Sequence, residues 1–148
     1  MPSEAQREVF RVLRESQSKY TYFLLAAAGA AIGFALTQTQ GEGLACSQVP
    51  LGFAVFLWGS SFFCGCRHLA YVNSTLYANS ALLKIESGQH PEVGNHPEYM
   101  QAASEGIRQA IGQNSETANR LGHWQFRTLI AGAIFYVLWH VLEMYLRI

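Results

Sequence analysis

The amino-acid sequence predicts an all-α membrane protein with three transmembrane helices, the second and third extended into a long cytoplasmic antiparallel helical hairpin. Half of the 148 residues are hydrophobic and 14% are charged, against about a quarter in typical soluble chains. Segments 20–41, 43–66 and 128–142 contain no Asp, Glu, Lys or Arg, whereas charges collect in 4–19 and 84–127. Long uncharged apolar segments are typical of membrane-spanning helices.

The first element is a predicted amphipathic cytoplasmic leader helix over residues 1–19. Ser3 and Gln6 have the spacing of a capping box, and apolar side chains such as Val9 and Val12 recur at helical spacing. A helix lying on the membrane surface, a gate, and a solvated leader all fit this pattern, and the alternatives stay open.

A secretory signal peptide is the rival interpretation of residues 1–45. The polar leader is long and contains Glu4, Glu8 and Glu15. Because the leader of a signal peptide is positively charged, we expect the first span to be retained.

The first predicted span covers residues 20–38 and is followed by an external link at 39–49. Glycines four residues apart lie on one face of a helix, where they allow close approach of a second helix in lipid. We therefore predict that small residues on the first two spans pack copies of the chain together. The candidate residues are Ala26, Gly29, Ala30, Gly33, Ser61 and Gly65.

The second predicted span, 50–68, begins at Pro50, a favoured first-turn position. No Gly or Pro occurs between Gly65 and Gly88, so the helix should continue to about residue 87. A turn at 88–97 then closes a cytoplasmic hairpin over 69–125, and Pro97, at its end, is in a favoured position to open the next helix at its first turn. Transmembrane helix 3 follows at 126–147. At 1.5 Å per residue, helix 50–87 is about 55 Å long and exceeds the ~30 Å apolar core of a bilayer.

The distribution of Lys and Arg predicts the orientation of the chain. Basic residues lie in the leader and the hairpin, and the link has none. By the positive-inside bias, the N-terminus and hairpin are cytoplasmic and the link and C-terminus are external. We expect a multi-pass protein of the cell inner membrane.

His140 and Glu143 are three residues apart within the third span, where ionisable side chains are costly. They either line a proton or ion path, or are satisfied locally near the outer interface. A polar stripe on the hairpin contains Gln101, Ser104, Arg108, Ser115 and Asn119, and is either a solvated face or part of an assembly in which Asn79 and Asn114 fix register. The candidate pore or ion path comprises His140, Glu143, Gln101, Ser104, Asn114 and Asn119.

Basic residues cluster at the predicted cytoplasmic membrane boundary. Interfacial anchoring explains them, because Arg and Trp favour that depth. A ring of positive charge at a pore mouth, or an anionic-ligand site, is the alternative. The candidate ligand or gate residues are Arg67, His68, Arg108, Arg120, His123 and Arg127.

The sequence shows no catalytic motif, so we expect that the protein is not an enzyme. Its three cysteines fit neither a disulfide framework nor a zinc spacing, and we expect no metal and no cofactor. The net charge is zero, and acidic residues on the hairpin offset the basic ones, which disfavours a broad nucleic-acid-binding surface.

Three functional hypotheses follow. The first is a homo-oligomeric membrane channel or pore whose cytoplasmic hairpin acts as a sensor or gate. The alternative is a non-catalytic membrane anchor or accessory subunit that docks a cytoplasmic partner. An intramembrane enzyme is the third. The expected partners are the lipid bilayer and further copies of the chain.

Gly29 and Gly33, the predicted helices 50–87 and 98–146, and the polar stripe from Gln101 to Asn119 together form a layout that resembles small multi-span membrane effectors of bacterial anti-phage defence. The resemblance concerns the organisation of most of the chain. It implies a pore-forming effector: an oligomeric channel that is gated through its hairpin by a nucleotide-type signal or a protein partner, and whose opening depolarises the cell.

Overall fold

In a computed structural model, residues 4–39, 46–91, 93–94 and 96–146 are described. Their secondary structure is helical. Helix α1 is Glu4–Gln38, α2 is Val49–Glu86 and α3 is Pro97–Leu146, and a single 3-10 turn, Cys46–Gln48, precedes α2. The prediction of an all-helical chain is confirmed for these residues.

Within the described residues, three helices are long and apolar enough to cross a membrane. The apolar stretches lie within Arg11–Gln38, Val49–Glu86 and Pro97–Leu146. The expected number of candidate spans is therefore confirmed by length and composition.

Helix α1 runs without interruption through residues 19 and 20, where the sequence suggested a change from leader to span. No Gly or Pro occurs between Glu4 and Gly29, so no residue in this stretch disfavours the helix strongly. The leader's charged side chains form pairs along its surface. Arg11 contacts Glu8 at 2.7 Å and Lys19 contacts Glu15 at 2.7 Å.

A glycine ends helix α2. Gly88 has φ 69°, the left-handed conformation that side chains disfavour. The backbone N–H of Gly88 donates to the carbonyl oxygen of Ile85 at 2.9 Å, and that of Gln89 donates to Lys84 at 2.9 Å. This pair of bonds is the Schellman motif, which satisfies the last carbonyl groups of a helix.

Helix α3 begins at Pro97, the predicted first-turn position. Its first backbone bond runs from the N–H of Met100 to the carbonyl oxygen of His96, at 3.0 Å. Proline has no N–H to lose at this position, so it starts the helix without leaving a donor unpaired.

The chain packs as two compact units. Unit 1 comprises Met1–Cys66 and Gly122–Ile148, and unit 2 comprises Arg67–Leu121. The buried hydrophobic cluster of unit 1 contains Ala35 from α1, three residues of α2, and Trp139 from α3. The α2 members are Leu51, Ala54 and Trp58.

Buried residues in unit 1 recur every seven positions on all three helices. This spacing corresponds to 3.5 residues per turn, which keeps one stripe facing the neighbouring helices in left-handed bundles. Small side chains occupy many of these positions, so the helices approach closely. The series are Thr21, Ala28 and Ala35 on α1, Leu51, Trp58 and Gly65 on α2, and Gln125, Gly132 and Trp139 on α3.

In unit 2, polar contacts join α2 to α3. Nδ2 of Asn114 donates to Oγ of Ser74 at 3.2 Å. Nη2 of Arg108 donates to Oε1 of Glu86 at 2.7 Å. A third contact joins His68 to the backbone of Ala118. The order of partners along α3 is the reverse of their order along α2.

Candidate functional site

The small-residue face of α1 is open. A Cβ atom built on Gly29 or Gly33 meets no heavy atom within 4 Å, and Ala26 and Ala30 are exposed. The opposite face, which carries Ala28 and Ala35, is buried inside unit 1. These four candidate residues therefore form an uncovered surface, named here the α1 outer face.

Ser61 and Gly65 lie elsewhere, on the buried face of α2. Oγ of Ser61 donates to the carbonyl oxygen of Gln125 at 2.7 Å. A Cβ atom on Gly65 would stand 2.5 Å from Nε2 of Gln125 and 2.7 Å from Cδ2 of Leu25. These two candidates are thus covered by α1 and α3 of their own chain, and only the α1 residues remain open to a second copy.

Gln125 is the central polar residue of this packing, and sequence reasoning missed it. Gln125 is 1% exposed, and its side-chain Nε2 has no hydrogen-bond partner in the described part of the chain. A buried donor without a partner costs about 1–3 kcal/mol. Gln125 lies seven residues before Gly132 and fourteen before Trp139, so the three residues share one stripe of α3. This spacing could have identified Gln125 from the sequence, because an amide in that stripe faces the neighbouring helices.

An aromatic layer joins the same three helices. Nε1 of Trp58 donates to the carbonyl oxygen of Leu129 at 3.2 Å. The ring of Tyr136 lies 5.7 Å from that of Trp58, 5.6 Å from that of Trp139 and 6.1 Å from that of Phe34, between ring centroids. Side-chain bonds to the backbone of a neighbouring helix are a usual means of holding spans together in lipid.

The candidate ion-path residues of α3 have different surroundings. His140 is exposed, with its ring 6.3 Å from that of Trp139. Glu143 is half-buried and takes part in an interaction. In unit 2, Gln101 and Asn119 are exposed and Ser104 is half-buried. Asn114 donates to Ser74 of the same chain and Asn79 is exposed, so a register role for the two Asn residues in an assembly stays a prediction.

Three of the candidate ligand or gate residues make contacts within unit 2. Nη2 of Arg67 donates to Oη of Tyr71 at 3.2 Å. Nδ1 of His68 lies 2.7 Å from the carbonyl oxygen of Ala118, and because a carbonyl oxygen only accepts, Nδ1 carries the proton. Arg108 is paired with Glu86.

Arg120, His123 and Arg127 are exposed. Arg120 belongs to unit 2, and the other two belong to unit 1. No ion pair joins any of the three to a carboxylate within the described residues. The charges of Arg120 and Arg127 therefore remain available to a ligand, and His123 adds an exposed imidazole ring.

The described residues contain no group of three or more His, Cys, Asp or Glu side chains that could hold a metal ion. Comparisons with protein-family models, with curated proteins and with solved structures gave no significant match. Functional inference therefore depends on the packing and the open surfaces described above.

Proposed function

We propose that this protein is a homo-oligomeric channel or pore-forming effector of the bacterial inner membrane. The α1 outer face carries the proposal. Gly29 and Gly33 have open space where a side chain would stand, although glycine in a helix costs about 1 kcal/mol relative to alanine. Close contact with a helix from another copy would use that space.

Closed symmetry is the usual outcome when identical subunits associate, and the proposed channel is a closed assembly of several copies. One copy of a three-helix protein has little room for an enclosed path. A ring of several copies would enclose such a path between their helices. His140 and Glu143 are the proposed polar residues of that path in the third span. The proposed ion-path residues of unit 2 are Gln101, Ser104, Asn114 and Asn119.

The proposed gate is the cytoplasmic part of the chain, formed by unit 2 as a helical hairpin. Arg108–Glu86 and Asn114–Ser74 support the pairing of its two helical segments. A nucleotide-type signal or a protein partner would act on it, with exposed cations such as Arg120 as contacts. The positive-inside bias supports its cytoplasmic placement.

The alternative is a membrane anchor or accessory subunit whose unit 2 docks a cytoplasmic protein. Large side chains exposed on unit 2 favour this hypothesis. Tyr77 is 79% exposed and Tyr99 is 68% exposed. Aromatic residues are enriched at protein–protein contacts.

Assembly is tested first, by native mass spectrometry of the purified protein. The wild type should be oligomeric, and Gly29→Leu and Gly33→Leu should be mostly monomeric. A leucine forced into a close contact costs about 1–3 kcal/mol, which weakens association by roughly 5- to 150-fold.

Gly52→Leu is the matched control, because Gly52 is another open glycine, on α2. It should leave the oligomer intact. Oligomers that survive both α1 substitutions would contradict assembly through the α1 outer face.

Ion flux through liposomes that contain only this protein separates the channel from the anchor. The channel hypothesis predicts flux in the wild type and its loss in Gly29→Leu. Liposomes that stay sealed under every nucleotide tested, together with a monomeric wild type, would favour the anchor.

A further inference from the structure

The outward face of α3 in unit 1 combines positive charge with a long apolar surface. His123, Trp124 and Arg127 are all exposed and lie at positions i, i+1 and i+4, within one sector of the helix. Ile130, Ile134 and Val137 continue the same sector and are 46%, 57% and 59% exposed. The buried series Gln125, Gly132 and Trp139 occupies the opposite side.

Arg127 lies where a bilayer would place a headgroup. The remainder of α3, from Arg127 to Leu146, is about 28 Å long at 1.5 Å per residue, close to the ~30 Å apolar core. Trp124, one turn before Arg127, is the kind of side chain that favours the interface. Arg127 is thus positioned at one end of the span.

The charge of Arg127 is not neutralised within the part of the chain that the structure describes. No ion pair to Arg127 is present there. No Asp or Glu occurs between Glu116 and Glu143 in the sequence. An exposed guanidinium next to an indole N–H and an imidazole presents several donors to a phosphate group.

We propose that this face binds an anionic phospholipid. Arg127, with His123 and the indole N–H of Trp124, holds the phosphate, and an acyl chain lies along Ile130, Ile134 and Val137. Charge complementarity selects a lipid with a net negative headgroup over a zwitterionic one, whose own cation competes for the phosphate. One cationic side chain near an anionic membrane surface raises the binding constant about fivefold.

The tryptophans of the protein provide a direct measurement. Trp58 and Trp139 are buried at 5% and 6% exposure, whereas Trp124 is 56% exposed. Bromine atoms at the headgroup end of an acyl chain quench the fluorescence of an indole that lies beside the phosphate. The signal of Trp124 is obtained as the difference between the wild type and Trp124→Phe.

The protein is reconstituted into phosphatidylcholine vesicles that contain brominated phosphatidylglycerol or, at the same mole fraction, brominated phosphatidylcholine. For the wild type we expect a relative binding constant of about five in favour of the anionic lipid. Arg127→Gln should reduce the ratio to about one, and Arg127→Lys should retain most of it.

Lys84→Gln is the matched control, because Lys84 is an exposed cation of unit 2, and it should keep the wild-type ratio. Equal quenching by both lipids in the wild type would overturn the proposal, as would a preference that survives Arg127→Gln. Absence of quenching by either lipid would also overturn it, because protein would then cover this face.

This site does not depend on assembly through α1. The monomeric variant Gly29→Leu should show the same lipid preference as the wild type. Failure of the oligomer experiment and failure of the quenching experiment are therefore distinguishable.

Discussion

Gly132 provides the space in which Trp58 packs. A Cβ atom at Gly132 would stand 2.6 Å from Cδ1 and Nε1 of Trp58 and 3.1 Å from the backbone oxygen of Ala54. An indole ring is rigid, and this one also donates a hydrogen bond to Leu129. A methyl group at Gly132 would therefore separate α2 from α3 rather than displace a flexible side chain.

Gly132→Ala should destabilise unit 1 by about 1–3 kcal/mol, the usual cost of overpacking. The measurement is unfolding of the detergent-solubilised protein by increasing SDS, followed by circular dichroism. In a Trp58→Leu background the same substitution should cost less, because the rigid ring is gone.

Gly59→Ala is the control for that series. Gly59 lies on α2 of the same unit with nothing within 4 Å of a built Cβ atom. Alanine has up to about 1 kcal/mol better helix propensity, so this variant should be neutral or slightly more stable. Equal stability of Gly132→Ala and Gly59→Ala would show that the Trp58 contact is unimportant.

The direction of individual side chains was the least predictable property at this scale. Gly29 and Gly65 have the same chemistry, yet Gly29 is open and Gly65 lies against Gln125. Both sides of an apolar span are nonpolar, so hydrophobic periodicity does not distinguish the side facing lipid from the side facing helices. Only the positions of the neighbouring helices decide it.

At the scale of elements, the starts and ends of the long helices followed local chemistry. Gly88 ends α2, and Pro97 starts α3 at the predicted position. Such boundaries are predictable because backbone conformation is restricted by the residue itself. Composition predicts a separate leader and span that meet at residues 19 and 20, whereas α1 is one continuous helix there. The change in composition at this point changes the environment of the helix and not the conformational preference of its backbone.

The positive φ of Gly88 leads to a prediction for the end of α2. Gly88→Ala should destabilise unit 2 by about 1 kcal/mol or more, since a Cβ atom is strained in this conformation. Hydrogen exchange at the amides of Gly88 and Gln89, which bond to Ile85 and Lys84, should become faster.

Gly112→Ala is the comparison for this site. Gly112 lies within α3, has no atom near a built Cβ, and should gain stability from the better helix propensity of alanine. If Gly88→Ala left exchange at residue 89 unchanged, the cap would not hold the end of the helix.

At the scale of the whole molecule, the three long apolar helices could be predicted from composition. Three long segments low in charge predict such helices, and three helices long and apolar enough to cross a membrane occur in the described residues. The function could not be predicted to the same degree, because no set of residues such as a metal site or a nucleophile with its base specifies a reaction. The contacts of Gln125 and the exposure of Arg127 depend on three-dimensional packing.

The proposed topology is tested by reporter fusions. A reporter enzyme that works only in the cytoplasm should be active when it is inserted after His90, in the turn between α2 and α3. A reporter enzyme that works only outside the cytoplasm should be active when it is fused to the C-terminus. A cytoplasmic signal from the C-terminal fusion would contradict the orientation derived from the distribution of Lys and Arg.

The seven-residue spacing in unit 1 limits how the spans can change in length. One inserted residue between Gly132 and Trp139 would rotate everything beyond it by about 100°. Trp139 would then leave the buried stripe, and the exposed side chain of Leu138 would enter it. Insertions of whole heptads preserve the stripe and lengthen a span by about 10.5 Å. The length of the apolar helices can therefore change only in steps of one heptad. A difference in bilayer thickness smaller than one step would be met by tilting of the helices.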